Sequence, residues 1–354
     1  MSRWRYFGMR LLLTIPVLFL VMTIIFVILR LGPLDPVSAI LGPEGGSGAS
    51  AGIRERLGLN EPLWRQYLDF MWTLLSFDLG ESWVLRPGQP VPELVVERAP
   101  RTIWLGFWSI LFPVFIGVPL GFYAGLNSNS YSDWVASFFG IVWQAMPNFW
   151  LGIMLLAVLR QTRPGNVFDF FPNWYELGPT TSSLLGTPDL GFLAITWLFI
   201  IPIPVGLDIG GFLVAVKQII PAALVLGSSL MVTEMRIGRT ATLEQVNANY
   251  VETAKAKGLK GRTIVWKHIF RNASIPMVPV LFSEVAILIG GSVIVEEVFA
   301  INGLGRLFFQ SAVQADLPLA GSLIFVFTII TLLFNVFQDF LYTVLDPRVG
   351  FQGE

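Results

Sequence analysis

Six apolar stretches, each about as long as a membrane is thick, limit what this chain can become. They are Leu11–Leu31, Ile103–Ala124, Trp134–Leu159, Phe212–Met235, Met277–Phe299 and Leu319–Leu341. A hydrocarbon core of about 30 Å takes about 20 helical residues to cross. Peptide groups in lipid must be bonded within their own segment, so each stretch is expected to be α-helical. Pro113, Pro119, Pro147 and Pro221 lie inside these stretches and predict kinks. Composition agrees: 54% of the 354 residues are hydrophobic and only 13% are charged. Soluble domains carry about 25% charged residues. The expected fold is an all-α integral membrane protein with about six transmembrane helices. Arg3, Arg5 and Arg10 precede the first run, which is too long for a signal-peptide core and lacks a small-x-small cleavage site. It reads as a retained first span.

A seventh apolar stretch, Gly191–Gly206, is short and contains Pro202 and Pro204. It is not counted as a span and is expected to lie in the interface or to re-enter from the outer face. Charge supports that choice. Arg236, Arg239, Lys255, Lys257, Lys260, Arg262, Lys267 and Arg271 cluster between the fourth and fifth spans, and basic residues mark cytoplasmic loops. Six spans then place both termini, residues 125–133 and the segment 236–276 in the cytoplasm. Residues 32–101 form an extracytoplasmic loop, in which Pro62–Phe77 has near-helical apolar spacing.

Several function classes are excluded. There is no cysteine, and His268 is the single histidine, so neither thiol chemistry nor a histidine-rich metal site is available. A net charge of −1 gives no field for nucleic acid. No GxxxxGK[ST] run is present, so the chain has no phosphate cradle of its own.

The segment Asn249-Tyr250-Val251-Glu252-Thr253-Ala254-Lys255-Ala256-Lys257-Gly258 is the most informative. Asn249 is a candidate N-cap with Glu252 three residues on, as in a capping box. Gly258 can take the left-handed conformation that closes a helix. A second amphipathic stretch runs from Arg262 to Asn272. Two short helices held between two spans make a rigid handle for a partner.

The spacing Glu252-Thr253-Ala254, three residues, then Gly258 resembles the cytoplasmic EAA loop of ABC-transporter permeases. The run Lys267-His268-Ile269-Phe270-Arg271-Asn272-Ala273-Ser274-Ile275-Pro276 is similar to that of the dipeptide/oligopeptide/nickel importer branch, first-permease type. Gly58-Leu59-Asn60-Glu61-Pro62, Asp78-Leu79-Gly80-Glu81-Ser82, Gly290-Gly291-Ser292-Val293-Ile294-Val295-Glu296 and Asp346-Pro347-Arg348 match the same branch in order. Thr253 replaces the loop's first alanine, and Leu34 stands where the family has glycine.

The resemblance implies the type I importer permease fold: an N-terminal transmembrane helix over 1–31, an extracytoplasmic loop over 32–101, a core over 102–345 and a cytoplasmic tail over 346–354. It also implies a prokaryotic inner-membrane location among membrane lipids. The expected partners are a second homologous permease, two ATP-binding subunits and an extracytoplasmic substrate-binding protein. ATP and Mg belong to the ATPases, and this chain binds no cofactor. Glu252, Thr253, Ala254, Gly258, Arg262, His268, Arg271 and Asn272 are the expected ATPase-coupling residues. The loops 32–101 and 161–211 are the expected outer docking surface.

Ionisable residues in spans are costly and draw attention. Glu296 and Asp339 lie near interfaces, whereas Glu284 departs from the family's neutral residue. Gln144 and Asn148, four apart on one helix face, are expected either to line the translocation path or to hydrogen-bond to a neighbouring helix, and Glu284 is a further candidate for the path. A proton-driven carrier is the rival reading. Such carriers repeat their features in two halves, and the short 125–133 segment carries no counterpart of the basic loop.

Overall fold

The computed structural model describes residues 3–32, 35–41, 47–159, 193–198 and 201–345. The motif Asp346-Pro347-Arg348, the rest of the tail and most of the loop 161–211 lie outside these residues. All six apolar stretches are helical, but not all are straight spans. Among the described residues, four helical segments are long and apolar enough to cross a membrane: Gly8–Leu31, Val91–Leu126, Ile209–Val246 and Leu317–Leu341.

The expected third span is broken. Tyr131–Gln144 (α7) and Asn148–Leu159 (α8) meet at a bend of 100°, with Pro147 in the break, where it cannot donate to the preceding turn. The expected fifth span is divided at Ser292 into Met277–Gly291 (α13) and Val293–Val298 (α14). The Ser292 hydroxyl turns to the Glu296 carboxylate at 2.6 Å.

Contacts divide the chain into two units. The first comprises Met1–Pro100 and Asn302–Val336. Here α1 (Arg3–Leu31), α4 (Leu63–Leu75), α15 (Leu304–Val313) and α16 (Leu317–Leu345) bury Met22, Ile25, Leu74, Leu94, Leu307, Leu319 and Leu323. The expected amphipathic helix over Pro62–Phe77 is α4, with Met71 and Leu74 inward and Trp64, Leu68 and Trp72 outward. Asp316 is wholly buried. Its carboxylate accepts from the Ser82 hydroxyl at 2.5 Å and from the backbone N–H groups of Trp83, Val84 and Leu85 at 3.0 Å each. One side chain therefore shapes a tight loop far away in sequence.

The second unit comprises Arg101–Ile301 and Phe337–Glu354. Val91–Phe112 (α5) enters it, loosens into a π-helical turn at Pro113–Gly117 and continues as α6 (Val118–Leu126). That turn absorbs the N–H that Pro113 lacks. The longest helix is α9 (Ile209–Val246), capped by the Asp208 side chain on the Gly210 N–H. Gly117, Gly121 and Gly125 form a stripe on which α6 meets α9 backbone to backbone. A Cβ at Gly117 would stand 2.6 Å from the Met231 carbonyl oxygen, and one at Gly125 2.5 Å from Thr242 Cβ. Small residues at a spacing of four permit such approach in membrane helices.

The Gly191–Gly206 stretch contributes a two-stranded antiparallel ladder, β1 (Leu193–Leu198) with β2 (Ile201–Leu207). Pro202 and Pro204 are two apart and lie opposite Trp197 and Ile195; a strand tolerates proline where its missing N–H faces an open edge.

Candidate functional site

The helix expected after the fourth span is α10 (Asn249–Ala256). Its apolar positions, Val251 and Ala254, are three apart and face inward. They pack with Phe122 of α6 and with Ile264 and Ile269 of the following helical stretch. That stretch runs through Gly261–Thr263 (α11), a π-helical segment Ile264–Phe270 and Arg271–Ala273 (α12). The Phe122 and Phe270 rings meet edge to face with centroids 5.0 Å apart. The Tyr250 hydroxyl donates to Gln245 Oε1 at 2.9 Å and lies 3.4 Å from the His268 carbonyl oxygen.

The two ends of α10 differ from each other in how far they follow expectation. At the C-terminal end, Gly258 has φ +72°. The Gly258 N–H donates to the Lys255 carbonyl at 2.9 Å and the Leu259 N–H to the Ala254 carbonyl at 3.2 Å. This is the paired closure that a left-handed residue permits. At the N-terminal end the capping box is absent. Ala248 is the cap residue and has no side-chain oxygen to offer, while its carbonyl accepts from the Val251 N–H. Asn249 is already inside the helix, and its carbonyl takes the Thr253 hydroxyl at 3.0 Å.

Of the expected coupling residues, Glu252, Thr253, Gly258, Arg262 and Arg271 are exposed. His268 and Asn272 are half-buried, and Ala254 is buried in the foot of the helix. Lys255, Lys257, Leu259 and Lys260 are exposed as well. The three-residue spacing of Val251 and Ala254 is the sequence signal that could have separated the buried face from the exposed one.

The loop is shorter than expected because α9 runs on to Val246, so Arg236 and Arg239 belong to a helix. Asp133, at the start of α7, is 2% exposed and grips Arg239 through two bonds, 2.6 Å to Nε and 2.7 Å to Nη2. Asp133 also accepts from the Asn129 N–H and is capped by Ser130. The segment 125–133 thus carries the acid that secures a basic residue of the loop region, a role hidden in a stretch without Lys or Arg.

The candidate path residues separate. Gln144 and Asn148 share no helix face, because the 100° bend falls between them. Gln144 Oε1 accepts from Arg236 Nη1 at 3.0 Å. These two residues line an open cavity of about 420 Å³ with Thr233, Thr240, Glu244 and Pro276. Glu284 is 3% exposed and lies instead in the interior of the second unit. Glu234 on α9 is wholly buried in the same unit. None of the four carboxylate oxygens has a hydrogen-bond partner among the described residues. Sequence reasoning passed over Glu234, which stood beside Arg236 in the last turn of its expected span. Glu296 is also wholly buried but is satisfied, accepting from Thr102 at 2.8 Å and from Ser292.

Comparison with known proteins supplies the family. The family described as "Binding-protein-dependent transport system inner membrane component" matches residues 117–351. The chain belongs to this family. Its N-terminal companion, described for the same transport systems, matches residues 3–106. Among relatives of this binding-protein-dependent permease, a dipeptide transport system permease of Alkalihalophilus pseudofirmus is 32% identical, over 97% of this chain and 98% of the relative. An oligopeptide transport system permease of Bacillus subtilis is 30% identical over 98% and 99%. A dipeptide transport system permease of Escherichia coli K12 is 31% identical over 96% and 97%. The MetNI methionine ABC transporter in inward-facing form aligns with a TM-score of 0.49 at 18% identity, covering 72% of this chain and 97% of that one. The permease is a multi-pass inner-membrane transport subunit and not an enzyme, and its family works with partner ATPase and permease subunits.

Proposed function

We propose that this permease forms half of the translocation path of an importer for peptides or similar small solutes, and that α10 is its contact with the ATPase. The observation that carries this reading is the division of α10 into a buried foot and a bare polar face, ending in a glycine-closed turn. The foot rests on Phe122 of α6, and α6 is joined to α9 along the glycine stripe. A push on the bare face therefore moves α6 and α9 together and changes access to the path. Glu252, Thr253, Gly258, Arg262 and Arg271 touch the ATPase, while Ala254, His268 and Asn272 keep the handle in shape. The assembly has a second, homologous permease, two ATP-binding subunits holding ATP and Mg, and an extracytoplasmic binding protein that brings the solute. Both termini and α10 lie on the cytoplasmic side, and residues 32–101 lie outside.

The test is affinity purification of the tagged chain from its native membrane, with ATPase and uptake assays of wild type and Gly258→Val. Wild type is expected to bring down an ATPase with a Walker motif and to take up di- or oligopeptide on ATP. At φ +72° a β-branched residue is strained by roughly 1–3 kcal/mol. The variant is therefore expected to insert normally while losing most ATP-driven uptake. Unchanged uptake by Gly258→Val removes the coupling role from this turn. A chain that purifies alone and transports on an ion gradient overturns the reading.

A further inference from the structure

A cavity of about 270 Å³ opens in the first unit between the end of α1, α4 and the beginning of α16. Its lining includes the apolar Phe26, Phe70 and Leu79 and charged residues of both signs. Arg30 supplies the positive charge and stands over the Trp83 ring at 5.8 Å. No carboxylate among the described residues pairs with it. Glu61, Asp69 and Glu81 supply the negative charge. Glu61 is already paired with Arg65 at 2.7 Å, whereas Asp69 and Glu81 form no ion pair among the described residues.

Depth in the membrane matters as much as charge. The apolar segment Gly8–Leu31 has 24 residues, which at 1.5 Å per residue is about 36 Å. That slightly exceeds a hydrocarbon core of about 30 Å. Arg30, one residue from its end, lies at headgroup level. Charges of both signs left without ion partners around an apolar hollow are complementary to a ligand that carries both. A simple anion would meet the carboxylates, and a simple cation would meet the guanidinium.

We propose that this cavity binds a small zwitterion, with its phosphate or carboxylate on Arg30, its ammonium toward Asp69 and Glu81, and its apolar part against Phe26, Phe70 and Leu79. Two sources have this chemistry: a phospholipid with an ethanolamine headgroup, and a free amino acid or dipeptide. The inference does not depend on the transport reading, because it concerns a site of the first unit alone.

The experiment uses the whole transport complex in nanodiscs of mixed phosphatidylethanolamine and phosphatidylglycerol. Bound lipid is read by native mass spectrometry, and binding of alanyl-alanine by calorimetry. Wild type is expected to retain phosphatidylethanolamine in preference to phosphatidylglycerol. Arg30→Gln and Asp69→Asn are each expected to lower that retention about tenfold, with assembly of the complex unchanged. Asp69 is exposed, so its substitution does not test folding. Saturable alanyl-alanine binding, lost in both variants, makes the ligand a soluble zwitterion and also supports the site. Loss in Arg30→Gln but not in Asp69→Asn makes the site a plain anion site and overturns the proposal. So does binding of neither probe, or binding indifferent to both substitutions.

Discussion

Removing the Asp133 carboxylate leaves the Arg239 guanidinium without the partner that grips it at 2.6 and 2.7 Å. Breaking a largely buried pair on one side is expensive because the remaining charge stays desolvated. Asp133→Ala is expected to destabilise the protein by about 3 kcal/mol, read as a lower thermal midpoint in detergent. Adding Arg239→Ala is expected to recover part of the loss, and strictly additive effects would disprove the pairing. Glu234 and Glu284 present the opposite case, two buried acids whose carboxylate oxygens have no hydrogen-bond partner among the described residues. Glu284→Gln keeps the shape and removes a buried acid without a hydrogen-bond partner, so the thermal midpoint is expected to rise by a few degrees, roughly 1 kcal/mol. A fall instead would mean that a bound cation holds the carboxylate. Gly258 was legible in the sequence because its conformation is a local property of one residue. Asp133 was not, because its partner is remote in sequence and only packing brings the two together.

Among elements, the contact of α6 with α9 leaves the least room for change. A Cβ on Gly121 would lie 3.0 Å from Met235 Cα and closer still to its carbonyl oxygen. Backbone cannot swing aside as a side chain can, so Gly121→Ala is expected to cost about 2 kcal/mol. Gly8 in α1 has nothing within 4 Å, and Gly8→Ala serves as the harmless comparison. If both substitutions shift the unfolding midpoint alike, the stripe is not a packing device. The helices themselves were legible from apolar length. Their breaks and extents were less so. Pro147 predicted a kink but not a 100° turn, and the Gly290-Gly291-Ser292 run, a local breaker signal, was not read as the division between α13 and α14. Past Met235, α9 packs Thr242 against Gly125, a tertiary contact invisible to hydropathy. The capping box failed for a related reason. A motif of residue types says what a side chain can do, and the turn at Asn247–Ala248 moved Asn249 one place into the helix.

At the scale of the whole chain, family and function were readable because the motifs recur in order along nearly its full length, and the relatives match over the same extent. The path lining was not readable, since it depends on which helix faces meet and on a partner subunit. The Asp316 cradle has a consequence of another kind, in the order of synthesis. The loop at Ser82 leaves the ribosome 234 residues before the carboxylate that shapes it. At about 5–20 residues per second that is a wait of roughly 10–50 s. During that interval the N–H groups of Trp83, Val84 and Leu85 lack their acceptor, and an attending insertase or chaperone has reason to hold the loop. A nascent chain arrested before residue 316 is expected to be cut by added protease near residues 82–85, and one arrested well past it to be protected there. Biogenesis of this permease is thus set to finish its beginning only when its last span arrives.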